Sequence, residues 1–175
     1  MKKAEKSEWS ASVREMLLRD QTTGSRIVWA VDDYAPLGPE FTPQRELTAE
    51  LRVVLRPRAQ KQQEQKTRRT RARGEVFTPA WICAAQNDLT DLFWTGRGQT
   101  EYVDAPRLEL ACGEAPYLAG GRDAVTGRRI PLSKRTGMLD RKLRAAGVAA
   151  QSEEEWICLA LRAVRSVYGF EFQGD

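Results

Sequence analysis

At 175 residues, with 41% hydrophobic and 30% charged residues, the chain has the composition of a soluble globular protein with a polar surface. It contains no histidine, which excludes Ser-His and Cys-His nucleophile pairs and every zinc site with a histidine ligand. No apolar run exceeds about six residues, and the sequence predicts neither a membrane span nor an export signal, so we expect a cytoplasmic protein. The net charge is +4, and the excess lies in one segment, residues 56–73.

The N-terminal part of the chain is predicted to mix helix and strand. A short helix begins after Ser10, and a turn at residues 22–24 leads into a strand at residues 27–31. Asp32 and Asp33 follow this strand directly. Because no third ligand is near them in the sequence, we interpret them as solvated loop residues rather than as a metal site or an acid and base pair.

The basic segment, residues 56–73, carries eight Arg and Lys side chains against a single acid, whereas the rest of the chain has 20 basic and 23 acidic residues. A helix here would be polar on all sides and would gain little from packing. Phosphate groups are natural partners, because arginine binds them bidentately and their neutralisation releases counterions. We therefore predict a DNA-contacting arm, with a solvated linker as the alternative. The predicted DNA contacts are Arg68, Arg69, Arg71 and Arg73.

A helix is predicted to follow residues 74–79. Thr78 is a good N-cap, and Pro79 suits the first helical turn, where its missing N–H costs nothing. Apolar residues then recur at helical spacing, namely Ile82, Ala85, Leu89, Leu92 and Phe93.

Residues 107–118 are the stretch around which the chain is organised. An apolar strand is predicted to run from Leu108 to Cys112, to turn sharply at Gly113, and to continue into a helix with Pro116 in its first turn. Such a turn brings backbone amides and a helix N-terminus to a ligand at the carboxyl end of a strand. The same pattern also occurs in α/β proteins for purely structural reasons.

Two helices and a strand complete the predicted elements. The first helix covers residues 133–146 and ends at Gly147, and the second begins with a capping box of Ser152 and Glu155. Residues 168–175 are predicted to form the second strand of the sheet. The apolar stripe of the second helix is predicted to lie in the core and consists of Trp156, Leu159, Ala160, Ala163, Val164 and Val167.

Three stretches, residues 74–79, 109–118 and 168–175, together resemble the first half of the S-adenosylmethionine-dependent DNA adenine methyltransferases of restriction-modification systems. The central motif of that family is an acid, two small residues or proline, Cys-Gly, two or three small residues, an aromatic residue and a leucine. The match runs from Glu109 to Leu118.

The resemblance implies an α/β fold in which a partial Rossmann-like methyltransferase sheet follows an N-terminal α+β extension. The expected domains are the extension at residues 1–55, the basic arm at residues 56–73, and a partial S-adenosylmethionine-binding domain at residues 74–175 that is truncated after its second strand.

S-adenosylmethionine is the cofactor that the resemblance implies. Glu171 stands where the family places the acid that accepts hydrogen bonds from the ribose hydroxyls. Glu109 and Glu114 would suit the ammonium and sulfonium charges of the ligand. The sequence departs from the family at Ala115 and Pro116, where glycine is usual, and a Cβ there narrows the approach of the methionine moiety. The implied cofactor contacts are Phe77, Thr78, Pro79, Glu109, Ala111, Cys112, Gly113 and Glu171.

Adenine methylation requires a flipped base, which the family holds with an Asn/Asp-Pro-Pro-aromatic turn. The sequence has no Pro-Pro, and its single asparagine, Asn87, lies in a predicted helix. We therefore expect the DNA- and cofactor-binding portion of such an enzyme, which binds double-stranded DNA and is inactive alone. It is either truncated or acts with a second polypeptide that carries the catalytic half.

Two other interpretations remain open. One is a non-enzymatic DNA-binding or anti-restriction protein on a degenerate methyltransferase scaffold, which would bind duplex DNA without any effect of the cofactor. The other is an unrelated α/β domain with a basic linker.

Overall fold

The computed structural model describes residues 11–20, 22–26, 71 and 77–171. The chain divides into two compact units, Met1–Leu55 with Phe172–Asp175, and Arg56–Glu171. The predicted strand at residues 27–31 lies outside the described residues, as do the paired aspartates that follow it and Arg68, Arg69 and Arg73 of the basic segment.

In the N-terminal unit, the predicted helix and turn are both confirmed. Helix α1 (Ala11–Leu17) is followed by a turn in which the carboxylate of Asp20 accepts hydrogen bonds from the N–H of Thr22 and the hydroxyl of Thr23. Gly24 has a φ of 71°, a left-handed conformation that glycine adopts without a steric penalty. The chain thus reverses direction directly after the helix.

The second unit combines helices with a parallel sheet, in agreement with the predicted α/β class. Strands β1 and β2 pair in parallel, with Arg107 opposite Val167 and Leu110 opposite Phe170, and they form the one sheet of the described residues. Parallel strands need a long crossover connection, which here contains α4 (Met138–Ala149) and α5 (Glu153–Arg165). The elements in chain order are α2 (Ala80–Asp91), a 3-10 helix (Leu92–Trp94), α3 (Gln99–Asp104), β1 (Arg107–Leu110), a 3-10 helix (Leu132–Lys134), α4 (Met138–Ala149), α5 (Glu153–Arg165) and β2 (Val167–Phe170).

The core of this unit lies where α3, α4 and α5 pack together. Three of its five buried members are alanines, whose small side chains let the helices approach closely. Tyr102, Leu139 and Leu143 are partly buried against it. The buried members are Val103, Ala145, Ala146, Leu159 and Ala163. None of the helices in the described residues is both long enough and apolar enough to cross a membrane.

Lys142 of α4 is buried completely within this packing. Its ammonium donates to the carbonyl of Val103 at 3.0 Å, and also to the carbonyl of Ala105 and the hydroxyl of Ser166. Burial, with a smaller effect of the positive charge of Arg107, lowers the pKa of Lys142 to about 8. At neutral pH the ammonium is therefore still mostly charged, and it ties α4 to the end of α3 and to the residue before β2.

The start of α2 corrects one prediction. Pro79, not Thr78, is at the N-cap position, and no side chain of the helix start caps it. Instead, the N–H of Ala80 donates to Oδ2 of Asp123 at 2.8 Å. The capping carboxylate is thus 43 residues away in the sequence, where a local rule does not detect it.

Helix α4 also differs from its predicted bounds. It begins at Met138 rather than at residue 133, with Gly137 as N-cap, and it runs through Gly147 to Ala149. A Cβ on Gly137 would lie 2.6 Å from the carbonyl oxygen of Leu118, so only glycine fits at this helix start. This long-range contact sets the start of the helix.

The predicted apolar stripes are only partly buried. In α5, Leu159 and Ala163 are buried as expected, but Trp156 is 42% and Val164 52% exposed, which corrects the prediction that the whole stripe is core. In α2, the buried residues are Cys83 and Asn87. The apolar residues at the end of the predicted stripe are 63% to 77% exposed, and they are Leu89, Leu92 and Phe93.

One face of the sheet is also apolar and exposed. The register places Leu108 opposite Tyr168, and Leu110 opposite Phe170, so the four side chains share one face. Each is between 50% and 71% exposed.

We predict that Lys142→Ala lowers the free energy of unfolding by about 2–4 kcal/mol, because it removes buried methylenes and takes a charged donor from the carbonyl of Ala105 and from the Ser166 hydroxyl. Urea denaturation of the full chain measures the change. Lys134→Ala, at an exposed lysine, is the control and should change stability by no more than about 0.5 kcal/mol. Equal effects of the two substitutions would show that the Lys142 contacts are not needed.

Candidate functional site

The carboxyl ends of β1 and β2 lie at the same edge of the sheet, because the strands are parallel. The backbone hydrogen bonding with β2 extends beyond the end of β1, because the N–H of Cys112 donates to the carbonyl of Phe170 at 3.0 Å. The next N–H, that of Gly113, donates to Oε2 of Glu171 at 2.6 Å. The ring of Phe77 lies 3.5 Å from the position that a Cβ on Gly113 would occupy. The structure therefore brings residues from the three predicted stretches together, in a place that we call the Gly113 cleft.

The loop after β1 contains three residues with left-handed backbone. Gly113 has a φ of 53°, and the non-glycine residues Ala111 and Ala115 have φ values of 50° and 51°. This conformation brings Cβ close to the following carbonyl and costs an L-residue roughly 1–2 kcal/mol. Ala115, one of the two positions at which the sequence departs from the methyltransferase motif, therefore adopts a conformation that glycine adopts more easily.

The prediction of a helix after Gly113, with Pro116 in its first turn, is wrong. The loop forms turns instead, closed by hydrogen bonds to the carbonyl of Ala115 from the N–H groups of Leu118 at 3.1 Å and Ala119 at 2.9 Å. Two carbonyls that would accept hydrogen bonds within such a helix accept them from α4 instead. Those of Tyr117 and Leu118 accept from the first two N–H groups of α4, at 2.8 Å and 2.9 Å.

The cleft carries negative charge. Glu109 is half-buried and accepts a hydrogen bond from the N–H of Leu118 at 3.2 Å, and burial raises the pKa of its carboxyl. Burial, with the charges of Glu109 and Glu171, raises the pKa of the Cys112 thiol, which therefore stays protonated at neutral pH. This field favours a cationic ligand over an anionic one.

The remaining predicted cofactor contacts lie at the start of α2 and in the loop after β1. Thr78 and Pro79 directly follow Phe77 at the start of α2, and the carbonyl of Thr78 faces the thiol of Cys83 at 3.8 Å. Ala111 is an exposed residue of the loop. Of the four arginines predicted to contact DNA, Arg71 is described and is exposed.

Asn87 supports the loop in a way that sequence analysis missed. It is 2% exposed, and its Nδ2 donates to the carbonyls of Tyr117 at 3.0 Å and Thr136 at 3.1 Å. The hydroxyl of Tyr117 in turn donates to Gln86, the neighbouring residue of α2. A lone asparagine in an apolar helix was the available signal, since a buried amide needs partners.

No protein-family model matches the chain, and neither a curated protein nor a solved structure matches it. A functional interpretation therefore depends on the motif residues and on the geometry of the Gly113 cleft.

We predict that Ala115→Gly raises the free energy of unfolding by about 0.5–1 kcal/mol, because the relieved backbone strain exceeds the added flexibility of the unfolded chain. Thermal denaturation measures the change. Ala119→Gly is the matched control, since Ala119 has no positive φ, and it should be neutral or destabilising. If both substitutions destabilise equally, Ala115 is not strained.

Proposed function

We propose that this chain is the cofactor- and DNA-binding part of an S-adenosylmethionine-dependent DNA adenine methyltransferase of a restriction-modification system. The observation that carries the proposal is the meeting of Phe77, Gly113 and Glu171 at the carboxyl edge of a parallel sheet. Open α/β sheets bind their ligands at this edge. In this proposal the two strands belong to a partial Rossmann-like methyltransferase sheet.

The chemistry of the cleft agrees with a sulfonium nucleoside. S-adenosylmethionine carries an ammonium and a sulfonium group, and the half-buried carboxyl of Glu109 lies close enough to Cys112 for its charge to raise the pKa of that thiol, after the larger effect of burial. Glu171 would accept hydrogen bonds from ribose hydroxyls, in exchange for the N–H of Gly113 that it accepts here. The ring of Phe77 supplies an apolar wall. We propose weak binding, because Ala115 places a Cβ where the family usually has glycine.

The catalytic residues would come from elsewhere. The sequence lacks an Asn/Asp-Pro-Pro-aromatic turn, so we propose that this chain does not methylate alone. Parallel sheets are normally covered on both faces, whereas one face here exposes Leu108, Leu110, Tyr168 and Phe170. This face supports the proposal that a second polypeptide, which carries the catalytic half, packs against the sheet.

A second candidate is a non-enzymatic DNA-binding or anti-restriction protein on a degenerate scaffold. The left-handed Ala115 and the carboxylate of Glu171 on the N–H of Gly113 favour it, because both features oppose cofactor entry. In this case duplex DNA would bind equally well with and without S-adenosylmethionine.

We predict that the full chain binds S-adenosylmethionine with a dissociation constant on the order of 0.1–1 mM in calorimetry. Glu171→Gln and Glu109→Gln should each weaken binding about tenfold or more, because each removes a charged acceptor without changing the shape of the side chain. Glu154→Gln, at an exposed glutamate in the first turn of α5, is the control with the same charge loss and should leave binding unchanged. No heat of binding, or equal affinities of all variants, contradicts the cofactor assignment.

We predict that simultaneous replacement of Arg68, Arg69, Arg71 and Arg73 by alanine weakens duplex DNA binding and lowers the slope of log affinity against log salt. The slope should fall by up to about 3–4, at about 0.9 for each lost phosphate contact. Fluorescence anisotropy with a labelled duplex at several KCl concentrations measures both quantities.

The matched control for the arm removes the same charge elsewhere. It replaces the exposed residues Arg128, Arg129, Lys134 and Arg165 by alanine. If this variant loses as much affinity and slope as the arm variant, binding reflects overall charge rather than the arm.

A further inference from the structure

A cavity of about 350 Å³ lies among the end of α2, α3 and α4. Three guanidinium groups line it, those of Arg97, Arg141 and Arg144, and the rings of Trp94 and Tyr102 form part of its wall. None of the residues of the Gly113 cleft lines it. We call it the Trp94 cavity.

A buried cation lies against the aromatic wall of the cavity. Arg107 is 8% exposed, and its Cζ lies 4.9 Å from the ring centroid of Trp94 and 5.3 Å from that of Tyr102. Its Nε and Nη2 have no hydrogen-bond partner in the described part of the chain. Its ion pair with Asp91 has a nitrogen–oxygen distance of 3.6 Å. The two rings and Asp91 stabilise this cation in part, but two of its buried nitrogens lack hydrogen bonds, so an additional negative charge nearby would be stabilising.

Asp91, the carboxylate in the cavity lining, is shared by several donors. It accepts from the hydroxyl of Tyr102 at 2.8 Å and from Nη1 of Arg141 at 2.7 Å, in addition to its ion pair with Arg107. One carboxylate thus faces two largely buried guanidinium groups. Arg141 also pairs with Asp88, but that carboxylate is 68% exposed and is therefore screened by water.

The two outer arginines add further positive charge. Arg97 pairs with Glu101 at 2.9 Å, and both side chains are about half exposed, so the pair is weak. Arg144 donates to the carbonyl of Arg135 at 2.8 Å. This acceptor is neutral, so it does not offset the charge of Arg144. The cavity therefore has an excess of positive charge at its rim and behind its wall.

We propose that the Trp94 cavity binds a phosphate group. Guanidinium groups hold phosphate oxygens bidentately, and a phosphate would supply negative charge near Arg107 and Arg144, whose charges are the least compensated. The volume lies within the range of pockets that hold small ligands. The phosphate is either part of a DNA strand or part of a small phosphorylated molecule. This site is separate from the Gly113 cleft, and it stands without the function proposed for that cleft.

The test titrates the full chain with potassium phosphate, against KCl at equal ionic strength, and follows the indole N–H signals in nuclear magnetic resonance spectra. Trp94→Phe identifies the Trp94 signal among the five tryptophans. We expect a saturable shift of this signal by phosphate only, with a dissociation constant on the order of 1–10 mM. Arg97→Ala and Arg144→Ala should each weaken binding about fivefold or more. Arg165→Ala removes an exposed charge at the end of α5 and should have no effect.

A second experiment, on DNA binding, identifies the source of the phosphate. If Arg144→Ala also lowers the salt slope of duplex DNA binding by about 1, the cavity holds a strand phosphate. If DNA binding is unchanged while the phosphate response depends on Arg144, the ligand is a small phosphorylated molecule. A shift that chloride reproduces, or one that Arg97→Ala and Arg144→Ala leave unaltered, overturns the proposal. Failure of the basic arm to bind DNA would not affect the phosphate titration, so the two proposals fail separately.

Discussion

The hydrogen bonds between the start of α4 and the loop after β1 hold the candidate site in position. The first two N–H groups of the helix donate to the carbonyls of Tyr117 and Leu118, and the carboxylate of Asp140 accepts from the N–H of Gly120 at 2.9 Å. The free N–H groups of a helix N-terminus usually attract an anion or a cap. Here the loop occupies two of them, so a ligand of the kind proposed for the Gly113 cleft would depend on the amides and carboxylates of the cleft itself.

Charge is segregated within the second unit. Burial and, to a smaller extent, the carboxyls of Glu109 and Glu171 raise the pKa of Cys112 in the Gly113 cleft, whereas Arg97, Arg141 and Arg144 line the Trp94 cavity. A net charge of +4 for the whole chain conceals this arrangement. Because local fields attract ligands of opposite charge, a cationic nucleoside and a phosphate would be directed to different surfaces of the same unit.

Features with a local signal in the sequence were predicted correctly. The capping box of α5 is confirmed by the hydrogen bond from the N–H of Glu155 to the Ser152 hydroxyl at 3.1 Å, and the turn at Gly113 by its positive φ. The predicted helix starts were wrong where a residue distant in the sequence determines the start. Asp123 caps α2, and the contact between Gly137 and Leu118 fixes the start of α4. These partners meet only after the chain has folded, so no window of neighbouring residues contains both.

The exposed apolar side chains show a different limit. Periodicity identifies which residues share a face, but burial depends on what covers that face, and Leu108, Leu110, Tyr168 and Phe170 remain at least half exposed. Full burial of an apolar side chain contributes roughly 1.5–3 kcal/mol, so covering four half-exposed ones contributes about 3–6 kcal/mol. Association costs about 4–15 kcal/mol. The sheet face alone would offset at most the lower part of this cost. The proposed second polypeptide would therefore need contacts elsewhere as well, for example on the exposed stripe of α5 at Ile157, Leu161 and Val164.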